Sequence, residues 1–379
     1  MNKKIILGIT LFSMFFGAGN LIFAPSLGVQ AGSQVWPALA GMLITSVAMP
    51  VLAICIIAPY GTASHMISRI SKPLGPIFMT LVYLLIGPCI AIPRTASTAL
   101  EMWQWMLPAS WMRIMAVFLF FGVAWCMAVR PGKLKDILGK VMGPILLLLI
   151  LFVCVPLLAG PEDVAASTGA FSTAPFMTGL NEGYQTMDIL AAFCFGILIT
   201  TSIQKMKLSN PRKSLAVAAL WAGVLLCAVY ILLAISCARS RASLQAYSNG
   251  AQILSAAAIQ TWGSFGQILS GMIFLVACLN VCSGLLACCS KYFEETFGKF
   301  SYRSWLILFT LCGAITACTG LDSILSWSGT LLSLISPIAV VILVVGLFHT
   351  LKDKGAHQKE QNLISPVSAS TESENPVSE

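Results

Sequence analysis

Apolar residues in this chain come in runs long enough to cross a lipid bilayer, and little sequence is left outside them. Ten runs can be read, over residues 5–29, 36–59, 74–99, 111–129, 141–159, 184–203, 214–237, 264–290, 304–320 and 323–349. A helix of about 20 apolar residues crosses the ~30 Å hydrocarbon layer. Lipid offers no partner to backbone N–H and C=O groups, so a spanning segment must satisfy them internally. The reading is an all-α polytopic membrane protein. Charged residues make up 9% of the chain, against about a quarter in soluble domains, so no large soluble domain is expected. Lys352 to Glu379, rich in Ser, Glu and Pro, reads as a disordered cytoplasmic tail, which leaves residues 1–351 as the transmembrane domain.

A net charge of +8 could suggest nucleic acid, but its placement argues otherwise. Sorting the connections by side puts Lys3, Lys4, Arg69, Lys72, Arg130, Lys133, Lys291, Lys299 and Arg303 together, with only Arg113, Arg239 and Arg241 opposite. Such asymmetry is the positive-inside pattern, and it predicts that both termini are cytoplasmic. The basic balance is topological, and no nucleic-acid partner is expected. Lys3-Lys4, an apolar run and the small residues Gly17-Ala18-Gly19 also fit a signal peptide. Apolar character continues to Leu27, which argues for a retained first helix.

Catalytic chemistry finds no foothold. No H-E-x-x-H, G-x-S-x-G or Walker loop is present, so the chain is not expected to be an enzyme. The thirteen cysteines are scattered through the spans without C-x-x-C spacing. They read as small apolar residues rather than metal ligands or disulfides.

Inside the first span, Phe16-Gly17-Ala18-Gly19-Asn20 interrupts the helical pattern with poor helix formers. Irregular backbone persists at membrane depth only where it lines a protein-walled cavity. Interrupted helices of this kind build the midplane sites of many secondary transporters. Gly17, Ala18, Gly19 and Asn20 are therefore candidate substrate-binding residues. Two ionisable groups also lie within spans, Arg94 in the third and Asp188 in the sixth. Each costs about 2.5–3.5 kcal/mol at a helix centre on insertion scales, so each asks for a role. Asp188 fits either a helix N-terminal carboxylate or a cavity-facing group. Arg94 fits either snorkelling to headgroups or a cavity. Both are candidates for proton-carrying or gating roles.

Four separated motifs, in order, carry a family resemblance. Phe15-Phe16-Gly17-Ala18-Gly19-Asn20-Leu21-Ile22-Phe23-Ala24-Pro25 resembles the first helix of the bacterial branched-chain amino acid carriers (system II, the LIVCS family). So do Ile86-Gly87-Pro88 with Ala91-Ile92-Pro93-Arg94-Thr95-Ala96, and Gly183-Tyr184 with Thr186-Met187-Asp188-Ile189-Leu190-Ala191-Ala192. Phe195-Gly196 and Ala277-Cys278-Leu279 continue the match, which runs from about residue 5 to about residue 350.

This family is similar to the amino acid–polyamine–organocation superfamily, which implies a LeuT-like fold of two inverted five-helix repeats. Here they would cover roughly 5–159 and 184–349, the second broken near Phe195-Gly196, and Phe195 and Gly196 would approach the substrate from that repeat. The resemblance further implies a small amino acid substrate (leucine, isoleucine or valine) imported across a bacterial plasma membrane by cation-coupled symport. No organic cofactor is implied, only sodium or protons as coupling ion, and the oligomeric state is left open. A sodium site of this fold would draw on carbonyls near Ser13 and Phe16, the carbonyl of Ala277 and two side-chain oxygens of the eighth helix. The family typically has a Thr-Thr pair there. This chain has Asn280-Val281, and Val281 brings no polar atom. Two other readings stay open: a proton-coupled or uncoupled exchanger, and a substrate-binding membrane sensor. Family members usually carry further spans beyond those read here.

Overall fold

In the computed structural model, residues 3–159, 164, 166–205, 211–239, 244, 247 and 249–369 are described. Arg241 of the charge pattern and residues 370–379 of the expected tail lie outside them. No strand occurs among the described residues. Helix α1 (Lys3–Phe15) stops at the glycine break, and α2 (Ala18–Ala31) resumes beyond it. Gly32, with φ +47°, then turns the chain into α3 (Val35–Leu43) and α4 (Met49–Ile57). A short α5 (Ala63–Ser68) leads to α6 (Leu74–Leu84) and α7 (Ala91–Glu101). Helices α8 (Ser110–Ala128), α9 (Pro131–Ile137) and α10 (Gly143–Ala159) follow, and α11 (Ala170–Thr173) precedes α12 (Pro175–Gln185). The remaining helices are α13 (Asp188–Lys205), α14 (Pro211–Arg239), α15 (Gly250–Trp262), α16 (Ser264–Phe297), α17 (Tyr302–Ala317) and α18 (Leu321–Ala369).

Among the described residues, seven helical runs are long and apolar enough to cross a membrane, and Ile5–Phe15 and Tyr302–Ala317 are shorter apolar helices. Burial sorts them into an inner and an outer set. In α16, 83% of the most apolar window is buried, against 28% in Ser110–Ala128 and 33% in Pro131–Ala159. Helix α16 therefore runs through the centre, while α8 turns Trp111, Met115 and Leu119 outward. Helix α18 continues through Ala369, into the stretch where the sequence suggests a disordered tail.

Two departures from helical geometry position the site. Between α6 and α7 the chain winds as a π segment, Leu85–Cys89, with Gly87 at ψ −117°. Pro88 lacks an N–H and crowds the preceding turn, so Ile90 N–H reaches back five residues to the Leu85 carbonyl. The helix is thus kinked at Pro88, whereas Pro93 sits inside regular helix.

The second departure corrects the sequence reading. The run Pro175–Lys205 is interrupted at Thr186–Met187, not near Phe195-Gly196, which lie inside unbroken α13. Met187 takes φ +67° and is the only non-glycine residue at positive φ among those described. Packing fixes α12 in front of that break: Gly179 lies against the Ala38 backbone, and Gly183 against Thr45 and Met42. The interrupted helix of the second half accordingly starts at Pro175 rather than 184.

Candidate functional site

The two breaks meet. A cavity between them is lined by Gly17, Ala18, Gly19, Asn20, Thr186, Met187 and Asp188, by Arg94, Thr95, Ile86 and Ala91 of the third span, and by Met14, Phe15, Ala191, Val281 and Leu285. The lining combines polar and charged groups with aliphatic and aromatic ones. Apolar lining therefore comes from the third, sixth and eighth spans and from the end of α1.

Gly17 is the N-cap of α2, in extended conformation at φ −138°, ψ −153°. Its N–H donates to Asn20 Oδ1 at 3.0 Å. The first N–H groups of α2 and the last carbonyls of α1 have no intrahelical partners, which leaves partial positive and negative charge at the break. Asn20, 1% exposed, turns its Nδ2 the other way and donates to Asp188 Oδ2 at 3.1 Å. The same Nδ2 makes a short hydrogen bond to the Tyr230 hydroxyl. Tyr230, on α14 and fully buried, donates to Asp188 Oδ2 at 2.9 Å. Asp188 opens α13 and is 3% exposed. Both readings of this residue hold together: it sits at a helix N-terminus, and it faces the cavity.

Arg94 is also 3% exposed, so it does not snorkel. Its Nη1 donates to the carbonyl of Gln185 at the end of α12, 3.1 Å away, and its guanidinium lies 5.8 Å from the Phe23 ring centroid. A Cβ added to Gly19 would stand 2.7 Å from Arg94 Nη2 and 3.0 Å from the Thr186 carbonyl oxygen. Glycine there lets the guanidinium and the second break approach the first. Gly17 is similarly closed by Val281, whose branched side chain occupies the place of any Cβ.

Phe195 and Gly196 are not brought into the cavity. Phe195 packs edge-on against Phe15 at 5.3 Å, one layer beneath it, and Gly196 faces Ile57. Thr186 and Met187, present in the sequence reading only as members of a motif, form the second break in their place. Tyr230 carries no local signal in the sequence, being an aromatic residue in an apolar helix.

The residues implied for a sodium ion fit one in part. Asn280 is fully buried, and neither polar atom of its amide has a hydrogen-bond partner among the described residues. An orphaned amide oxygen suits a hard cation. The Gly17 N–H is turned to Asn20, so the Ser13 carbonyl lacks its usual donor four residues on, and Phe16 ends the same turn. Ser13 Oγ is engaged, donating to the Leu138 carbonyl at 3.1 Å. Ala277 is buried one turn from Asn280. Val281 adds only methyl groups, packed on Gly17.

Comparison with known proteins bears on this geometry. The family model for branched-chain amino acid transport proteins matches residues 1–373. The branched-chain amino acid permease BraB of Bacillus subtilis (strain 168) is 37% identical, over 91% of this chain and 80% of BraB. The permease BrnQ of the same organism is 36% identical, over 92% of this chain and 83% of BrnQ. The branched-chain amino acid transport system 2 carrier protein of Pseudomonas aeruginosa is 34% identical, over 91% of this chain and 80% of the carrier. Among solved structures, MhsT in complex with L-phenylalanine superposes with a TM-score of 0.61 at 15% identity, over 89% of this chain and 87% of MhsT. The nucleobase-cation-symport-1 transporter Mhp1 gives 0.60 at 14% identity, over 90% of this chain and 77% of Mhp1. These likenesses establish the LeuT-like fold.

Proposed function

This chain belongs to the branched-chain amino acid transport protein family, and from that premise we propose that it imports leucine, isoleucine and valine by cation-coupled symport. It is a multi-pass protein of the bacterial plasma membrane, and its relatives are permeases and carriers rather than enzymes. One observation carries the proposal. Two helix breaks converge on a cavity lined by both charged and apolar side chains, the groups that a zwitterion bearing an aliphatic side chain calls for. One methylene is worth only about 1–3 kcal/mol in an apolar pocket, so leucine, isoleucine and valine should compete closely. Both termini are cytoplasmic in this proposal, on the strength of the Lys and Arg placement.

A sodium ion would be held by carbonyls near Ser13 and Phe16, the Ala277 carbonyl and the Asn280 amide oxygen, and would supply fixed positive charge at the junction of α1 and α16. Where relatives of this fold offer a second hydroxyl, Val281 offers none. An uncompensated polar partner costs about 1–3 kcal/mol, and a tenfold change in affinity takes about 1.4 kcal/mol. Sodium stimulation should therefore be weak, by roughly tenfold or more relative to a Thr-Thr pair. The same observation favours a second reading, proton-driven or uncoupled exchange, in which Asp188 is the proton-carrying group.

Uptake of labelled leucine into proteoliposomes, with sodium and proton gradients imposed separately, tests both readings. Saturable uptake inhibited by isoleucine and valine is expected. The double substitution Asn280→Thr, Val281→Thr should strengthen sodium stimulation. Steep, high-affinity sodium dependence in the unmodified protein would refute the loss of a ligand. Absence of leucine uptake under every gradient would refute transport and leave the sensor reading.

A further inference from the structure

The buried polar group at the second break is built asymmetrically. Asn20 and Tyr230 both donate to Oδ2 of Asp188, while the neighbouring Thr186 hydroxyl donates to the Gly183 carbonyl. Both donors thus end on Oδ2, and among the described residues only the Thr186 side chain stands by to serve the carboxylate otherwise. Asp188 nevertheless lines the cavity. Its two donors are neutral, and among the described residues no ion pair joins it to Arg94. A buried carboxylate held only by neutral donors lacks the opposite charge that buried ions require. Arg94, on the same cavity, is likewise held by a neutral carbonyl. The cavity thus presents an acidic and a basic group that act on each other across it without direct contact.

We propose that Asp188 is the acceptor for the substrate's α-ammonium group through Oδ1, and that the Tyr230 hydroxyl positions it. This rests on the transport reading above and specifies its polar-head recognition. By pinning Oδ2 together with Asn20, Tyr230 holds the carboxylate in one rotamer, so Oδ1 meets an incoming ammonium without first losing rotational freedom. The substrate's carboxylate then lies on the Arg94 side. Tyr230 touches no substrate and acts through Asp188. An ionised Asp188 engaged by ammonium holds no proton, so any proton it carries moves in the substrate-free carrier.

Ligand-induced thermal stabilisation of the purified full chain tests this, with leucine and its 2-hydroxy analogue as probes. The analogue keeps the carboxylate and the side chain and carries a neutral hydroxyl in place of the ammonium. A site that hydrogen-bonds an N–H strongly rejects the analogue lacking it, so the unmodified protein should bind leucine at least about 100-fold more tightly. Asp188→Asn should remove most of that preference, weakening leucine while leaving the hydroxy acid unchanged. Tyr230→Phe, which deletes one oxygen, should weaken leucine about tenfold, as expected for one hydrogen bond to a charged group, again without changing the hydroxy acid. Unchanged leucine preference in Asp188→Asn, or equal loss of both ligands in either variant, would overturn the assignment. Failure of leucine to stabilise the unmodified protein would instead strike the transport reading, and this inference with it.

Discussion

The two helix breaks do the same job with different materials. The first is made by residues that dislike helices: Gly17, Gly19 and Asn20. The second is made at Thr186–Met187 without a glycine, by a methionine held at φ +67°. At the first, the backbone is permissive and neighbours come close, with Val281 against Gly17 and Arg94 against Gly19. At the second, the chain is compelled. Helix α12 is clamped by Gly179 and Gly183 against α3 and the turn that follows it, Arg94 holds the last carbonyl of α12, and Asn20 and Tyr230 hold the first side chain of α13. A membrane helix can be broken by its own residues or by its surroundings.

The comparison is tested most severely at Asn20, the residue both breaks share. Asn20→Leu would strand the Gly17 N–H in a buried site and take one partner each from Asp188 and Tyr230, whose mutual hydrogen bond remains. Each buried partner lost costs about 1–3 kcal/mol. A total near 3 kcal/mol or more corresponds to about a hundredfold, so leucine uptake should fall to background while the protein still inserts. Initial rates normalised to protein in the membrane give the result. Wild-type uptake would mean that the Asn20 contacts play no part in transport.

Gly19→Val sharpens the role of close approach. A branched side chain at a point 2.7 Å from Arg94 Nη2 and 3.0 Å from the Thr186 oxygen must push the second break away from the first. Overpacking of this kind costs about 1–3 kcal/mol, so uptake should fall about tenfold or more. Retained uptake would show that the breaks need not touch, and that Gly19 serves helix packing alone.

Only one of the breaks was legible in the sequence, and the reason is physical. Gly17-Ala18-Gly19-Asn20 signals itself through poor helix propensity at membrane depth. Met187 has good propensity, and its left-handed turn is imposed by α3, α7 and α14, none of them local. The family resemblance puts that break near Phe195-Gly196 instead, but Gly196 packs against Ile57 within α13. The spans were legible because their apolar runs are long, and Asp188 and Arg94 because charge is rare there. Tyr230 was not, since its partner Asn20 lies 210 residues away and nothing near position 230 marks it.

A smaller effect is expected at Gly17, where one methyl group is at stake. Gly17→Ala places that methyl on the Val281 side chain, which is stiff at χ1. Uptake should drop several-fold, consistent with about 1 kcal/mol of overpacking. Adding Val281→Ala should restore it, because the two volumes then fit together. A double-mutant cycle on uptake reads the coupling. If the second substitution gives no rescue, the defect comes from the cap conformation and not from the contact.

The smallest effect belongs to Met187, and it separates an imposed break from an intrinsic one. A non-glycine residue in the left-handed region costs about 1–2 kcal/mol. Met187→Gly removes that strain but adds about 0.5–1 kcal/mol of unfolded-state entropy. The two nearly cancel, so thermal unfolding in detergent should shift little and uptake should stay near wild type. Met187→Ile should lose uptake, because a β-branched residue is a genuine outlier at positive φ. If Met187→Gly abolishes uptake as fully as Met187→Ile, the methionine side chain itself is needed in the cavity it lines, and the left-handed turn is not its whole contribution.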